Sequence, residues 1–113
     1  MNRNKEILKA ILLSKKKYNH TCVVTGLGRE HGMEIDGAHL VPRDYRTDIG
    51  LGLALASSAD NIVPMVREAH ICFDRLKLSR KLIFLLHIRN SAVKKQVKSL
   101  IRAIKNILDG RKL

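Results

Sequence analysis

Apolar residues recur along this chain at several spacings, and each spacing predicts a different element. Near the N-terminus Ile7, Ala10, Ile11 and Leu12 fall near one side of a helical projection, while Lys5, Lys9, Lys15, Lys16 and Lys17 lie mostly elsewhere. That pattern predicts a short amphipathic helix over 3–18, ending near Asn19. At the other end Val93, Val97, Leu100, Ile101, Ile104 and Leu108 repeat at three- and four-residue steps behind the capping pair Asn90-Ser91. A final helix with a buried stripe is expected there. Between the two, the period shortens. TCVVTG at 21–26 is β-branched and bounded by Gly26 and Gly28, and EIDGAHLV at 34–41 is stopped by Pro42, so the two predict a hairpin through GLGREHG. NIVPMV at 61–66 predicts a short extended segment that Pro64 confines to an edge or terminal position. A helix is expected from Arg67 to roughly Leu78, followed by RKLIFLLHI as a further helical or buried apolar run. Asp44 to Asp60 shows no strong period and reads as a long loop, a feature that in compact domains is usually functional or disordered.

At 113 residues the chain is expected to be a single domain, 1–113, with a core at about 21–75 and a C-terminal helical extension at 76–113. The 22 Lys plus Arg against 10 Asp plus Glu leave a net charge of +12, which favours a polyanionic partner: nucleic acid first, an anionic membrane surface second. The distribution sharpens this. Residues 75–113 carry twelve basic residues and one acid, Asp109, whereas residues 30–74 hold eight of the ten acids and three Arg. A basic frame thus surrounds an acidic, histidine-bearing centre. Cys22 and Cys72, fifty positions apart, suggest neither a disulfide scaffold nor a four-cysteine zinc knuckle, and a reducing cytoplasm fits. The opening residues, with apolar positions interleaved by Lys, do not read as a secretory leader, and LIFLLHI at 82–88 is far short of a membrane span.

The chemistry gathers between Glu34 and Asp74. His70 and Asp74 lie four residues apart in an expected helix, so they share a face and can hold one cation, leaving His39 free to act as a base. Read in order, C-V-V-T-G at 22–26, A-H-L-V-P at 38–42, D-N-I-V-P at 60–64 and H-I-C-F-D at 70–74 resemble the HNH endonucleases. The resemblance covers about residues 21–75. It implies an α+β fold with a small ββα-metal core, here flanked by an N-terminal helix and C-terminal helices.

The resemblance also implies roles. His39 would be the general base that deprotonates the attacking water, since an unperturbed imidazole pKa near 6.5 suits that task. His70 and Asp74 would ligate one divalent cation, Mg²⁺ or Mn²⁺ by preference with Zn²⁺ as the alternative. Asn61 would pin the loop carrying His39 or lend its side-chain oxygen to the metal. Products would carry 5′-phosphate and 3′-hydroxyl ends. One position departs from the family: most members place Asp or His immediately before the base, and here it is Ala38. Asp36 is the nearest substitute, on the same strand face but roughly 6–7 Å further along, so a bulge at Gly37 would be needed to make it a ligand.

Arg43 and Arg46 are candidates for clamping phosphates beside the cut site. Lys94, Lys95, Lys98 and Arg102, with Lys15, Lys16 and Lys17, would add sequence-independent backbone affinity. Phe73 and Phe84 are expected to be buried, leaving Tyr18 and Tyr45 as the only available aromatics, which favours duplex over single-stranded DNA. The expectation is therefore a DNA endonuclease or nickase of phage or mobile-element type, active as monomer or homodimer. The rival is a nucleic-acid-binding module that has lost catalysis.

Overall fold

The computed structural model describes residues 3–111, so the outermost positions of the expected 1–113 domain lie outside the described residues. In chain order it contains α1 (Arg3–Lys17), β1 (Ile35–His39), α2 (Leu51–Leu55), β2 (Ile62–Val66), α3 (Arg67–Asp74), α4 (Leu78–Leu86) and α5 (Ser91–Arg111), with short 3-10 turns at Arg29–His31 and Ala59–Asn61. The fold is α+β: a two-stranded antiparallel sheet among five helices, with β1, β2 and α3 forming the ββα unit.

The strand partners differ from the expected hairpin. Residues 21–28 make only a single bridge, Thr21 to Gly28, and β1 pairs instead with β2. Local hydrogen bonds hold the 21–28 segment as a turn: Gly26 N–H donates to the Cys22 carbonyl, Leu27 N–H to Thr25 Oγ1 and Thr25 N–H to Cys22 Sγ. Side chains that satisfy nearby backbone groups compete with a sheet ladder in this way. Pro64 fits inside β2 because its nitrogen points away from β1; on that outer edge its carbonyl accepts the Val23 N–H at 3.0 Å.

The pairing of β1 with β2 is one-to-one from Ile35↔Val66 through His39↔Ile62, so Gly37 forms no bulge. Its missing side chain serves packing: a Cβ there would come within 2.7 Å of Ile11 Cγ2 on α1. The opposite face of β1 looks toward α3, where Asp36 meets Arg67 and His70.

Three polar side chains fix the helices onto β2. Ser14 Oγ donates to the Ile62 carbonyl, Tyr18 Oη donates to Gln96 Oε1, and Gln96 Nε2 donates to the carbonyls of Asp60 and Ile62. Tyr18 is therefore buried rather than available, and burial pushes its hydroxyl pKa up to about 12, with the Asp60 charge adding to the effect. The buried side of α1 accordingly runs through Ala10, Ser14 and Tyr18, leaving Leu12 about half exposed. Asn90 caps α5 as expected, accepting the N–H groups of Ala92 and Val93, and Val93, Val97 and Leu100 enter the core.

Between the strands the expected long loop is folded. Leu51 and Leu55, one turn apart on α2, are buried, and Gly52 lies so close to the Pro42 and Arg43 carbonyls that a Cβ there would collide with both. The helix beginning at Arg67 stops at Asp74 rather than near Leu78. A straight helix would turn Phe73 and Leu85, twelve residues apart, about 120° away from each other. The break at 75–77 lets both reach the core. Phe84 packs against Phe73 at 6.3 Å between ring centroids but remains exposed on its other side, contrary to the expectation of burial.

Candidate active site

His39 is the last residue of β1, where the strand leaves the sheet. Its Nε2 lies 2.8 Å from the Ala56 carbonyl, just beyond α2. A carbonyl can only accept, so Nε2 carries the proton and Nδ1 keeps its lone pair. The carbonyl at the end of the short helix in the connecting segment thus sets the tautomer of the imidazole.

Asn61 is fully buried and spends its amide on the backbone. Oδ1 accepts the Val41 N–H at 2.8 Å, and Nδ2 donates to the carbonyls of Val41 (3.0 Å) and Leu55 (3.3 Å). With the Leu40 N–H donating to the Asn61 carbonyl, the exit of β1 is tied to the entrance of β2 two residues past His39.

His70 stands between two carboxylates. Its Nδ1 is 3.0 Å from Asp36 Oδ2 and its Nε2 is 3.1 Å from Asp74 Oδ2. Asp36 is also paired with the Arg67 guanidinium, Nε to Oδ2 at 3.0 Å and Nη2 to Oδ1 at 3.2 Å. The Arg67 hydrogen bond holds the Asp36 carboxyl below the usual carboxylate range, partial burial opposes this, and the His70 hydrogen bond adds to the lowering. A carboxylate stabilised in its charged form contributes to folding above its ordinary pKa near 4, and that contribution fades as pH falls below it. The structure thus places Asp36 against His70 Nδ1 and Arg67, while Ala38, on the same face of the strand, is fully buried.

His39, His70 and Asp74 line one cleft of about 430 Å³ together with Gly37, Pro42, Asp44 and Lys81. Sequence reasoning passed over Lys81. It lies on α4 within the stripe Leu78, Lys81, Leu82 and Leu85, and a lysine inside an apolar helical stripe was the available signal. Burial lowers its pKa and the charge of Asp74 opposes this.

Among the described residues no group of three His, Cys, Asp or Glu side chains is arranged as a metal cage. The pair His70 and Asp74 nonetheless fits a cation. Two ligands at about 2.1 Å from an octahedral ion and at right angles to one another stand about 3.0 Å apart, close to the 3.1 Å between His70 Nε2 and Asp74 Oδ2.

The other sequence candidates lie outside this cleft. Arg46 is exposed and forms a two-pronged pair with Asp48, both bonds at 3.0 Å. Arg43 lines a separate hollow with Asp44, Thr47, Gly50 and Leu53. Lys94, Lys95, Lys98 and Arg102 occupy the exposed side of α5. Cys22 and Cys72 are both free. No described helix is long and apolar enough to cross a membrane.

No curated protein and no solved structure matches the chain. The family model described as HNH endonuclease matches residues 22–79, just over half of the chain and the span that contains His39, Asn61, His70 and Asp74. On that match and this ββα geometry, the chain belongs to the HNH endonuclease family.

Proposed function

We propose that the protein is a metal-dependent DNA endonuclease or nickase. The observation that carries this reading is the single cleft in which His39, fixed as the Nε2–H tautomer, accompanies the His70–Asp74 donor pair. His70 Nε2 and Asp74 would hold one divalent cation, Mg²⁺ or Mn²⁺ before Zn²⁺, which when bound supplies Lewis-acid stabilisation of the phosphate and of the departing 3′ oxygen. His39 Nδ1 takes a proton from the attacking water as the water oxygen bonds to phosphorus. The bond from phosphorus to the 3′ oxygen breaks, and that oxygen is protonated from solvent. Asn61 holds the exit of β1 so that the imidazole keeps its place.

Asp36 acts on His70 in this reading. Accepting the Nδ1–H keeps the Nε2 lone pair free for a ligand, as carboxylates behind metal-bound histidines commonly do. Asp36→Asn should raise the Mn²⁺ concentration for half-maximal activity about tenfold or more, with turnover at saturating Mn²⁺ near wild type. Unchanged metal dependence would reduce Asp36 to a partner of Arg67.

The net charge of +12 supplies long-range attraction to the duplex, with the exposed basic residues of α5 as its backbone contacts. Arg43 and Arg46 would clamp phosphates nearby, Arg46 by exchanging Asp48 for a phosphate oxygen, an exchange made cheap because exposed ion pairs are weak. A cytoplasmic protein of phage or mobile-element DNA processing, monomeric or homodimeric, fits this chemistry. The test is relaxation of supercoiled plasmid: nicking in Mg²⁺ or Mn²⁺ and none in EDTA. Tight plasmid binding with no cutting in either metal would favour the alternative, a binding module, for which the buried Ala38 at the usual ligand position is the relevant observation.

A further inference from the structure

Lys81 is 2 % exposed, and its carboxylate neighbour Asp74 stands at the outer limit of ion-pair distance. Removing an ammonium from water is costly even after relaxation, and a methionine would fill this stripe of α4 without that cost. In return Lys81 Nζ donates one hydrogen bond, to the Leu40 carbonyl at 3.3 Å, and lies 5.4 Å from the centroid of the Phe73 ring. Asp74 Oδ1 is 4.0 Å away, beyond hydrogen-bond reach. An ammonium has three donors, so its hydrogen-bonding capacity exceeds what the described residues supply. Lys81 borders the cleft of His39, His70 and Asp74 and also a larger groove of about 590 Å³, whose walls include Tyr45, Leu82, Ile101 and Ile104. Pro42, Asp74 and Lys81 belong to both hollows, which places the side chain where they meet.

We propose that Lys81 is a catalytic residue: its ammonium binds a non-bridging oxygen of the scissile phosphate from the wall of the cleft. The assignment rests on the nuclease reading above. Attack on a phosphodiester increases the negative charge on its non-bridging oxygens, and a fixed cation in a water-poor wall stabilises that charge far more than an exposed lysine does. The two oxygens of Asp74 divide the labour, Oδ2 facing His70 and Oδ1 facing Lys81. An ammonium beside a ligand carboxylate also repels the cation that carboxylate would hold. Removing it should therefore leave metal affinity equal or higher while turnover falls, a pairing of effects that a purely structural role would not produce.

The test compares Lys81→Met with wild type by thermal unfolding, by calorimetric Mn²⁺ titration without DNA, and by plasmid nicking at saturating Mn²⁺. The expected result is a folded variant with equal or tighter Mn²⁺ binding, kcat lower by about a hundredfold or more, and KM little changed. Turnover within about threefold of wild type overturns the proposal. So does a loss of Mn²⁺ affinity that accounts for the loss of rate, which would make Lys81 a positioning residue acting through Asp74. If the variant does not fold, wild-type protein decides the matter on duplexes carrying sulfur at each non-bridging position of a mapped nick site. One diastereomer should be cut slowly in Mg²⁺ and recover in Mn²⁺; the other, facing Lys81, should stay slow in both. Recovery of both diastereomers overturns the assignment. Wild type that cuts nothing in either metal removes the nuclease reading and Lys81's role together, whereas equal cutting by wild type and Lys81→Met removes only the latter.

Discussion

Replacing His39 with alanine is expected to lower nicking by about a hundredfold to ten-thousandfold, the usual worth of a positioned general base, while Mn²⁺ affinity stays near wild type. The reason is geometric. The His39 ring is hydrogen-bonded to the Ala56 carbonyl, whereas the His70 ring is hydrogen-bonded through Nδ1 to Asp36 and holds Nε2 3.1 Å from Asp74 Oδ2. His70→Ala and Asp74→Ala should instead weaken metal binding and cutting together. Calorimetric titration of the three variants, set beside plasmid relaxation, separates base from ligand; loss of Mn²⁺ binding in His39→Ala would reverse the assignment.

Asn61→Ala should produce the largest loss of stability. The substitution removes three hydrogen bonds from a fully buried position and strands the Val41 N–H, itself fully buried. A buried group left without a partner costs about 1–3 kcal/mol, so the three together should cost about 3 kcal/mol or more, a large part of the 5–15 kcal/mol that holds a typical domain together. Asn61→Asp should be no milder despite its shape, because a carboxylate would face the Val41 and Leu55 carbonyls that now accept from Nδ2. Urea unfolding measures both. A midpoint near wild type for either variant would mean that the exit of β1 is held by other contacts. Activity should fall further than stability alone explains, since the same bonds place His39 two residues upstream.

Much of the site was readable in the chain because its signals are short-range. His70 and Asp74 share a helix face by spacing alone, and the structure places their donor atoms 3.1 Å apart. The cap at Asn90, the buried stripe of α5 and the extended character of 61–66 are likewise local patterns of side-chain type and period. Asp36 shows where such reading stops. On sequence its closeness to Ala38 suggested a ligand reached through a bulge at Gly37, but the register is regular and Gly37 is small because Ile11 packs over it. Its actual neighbours, Arg67 and His70, are more than thirty positions away.

The sequence by itself determined the helical character of α1 and α5, the extended character of β1 and β2, the order His39, Asn61, His70, Asp74, and the excess of basic residues, since each depends on residue type and spacing within a few turns of chain. Tertiary structure decided which strand pairs with β1, which tautomer His39 adopts, and that Lys81 enters the cleft. Those outcomes depend on contacts between distant segments: the Cys22–Gly26 turn satisfying its own backbone, the Ala56 carbonyl reaching His39, and the break between α3 and α4 turning one lysine inward. Periodicity carries no record of a partner far along the chain. Packing supplies it, because only the assembled core specifies which buried polar groups must find one another.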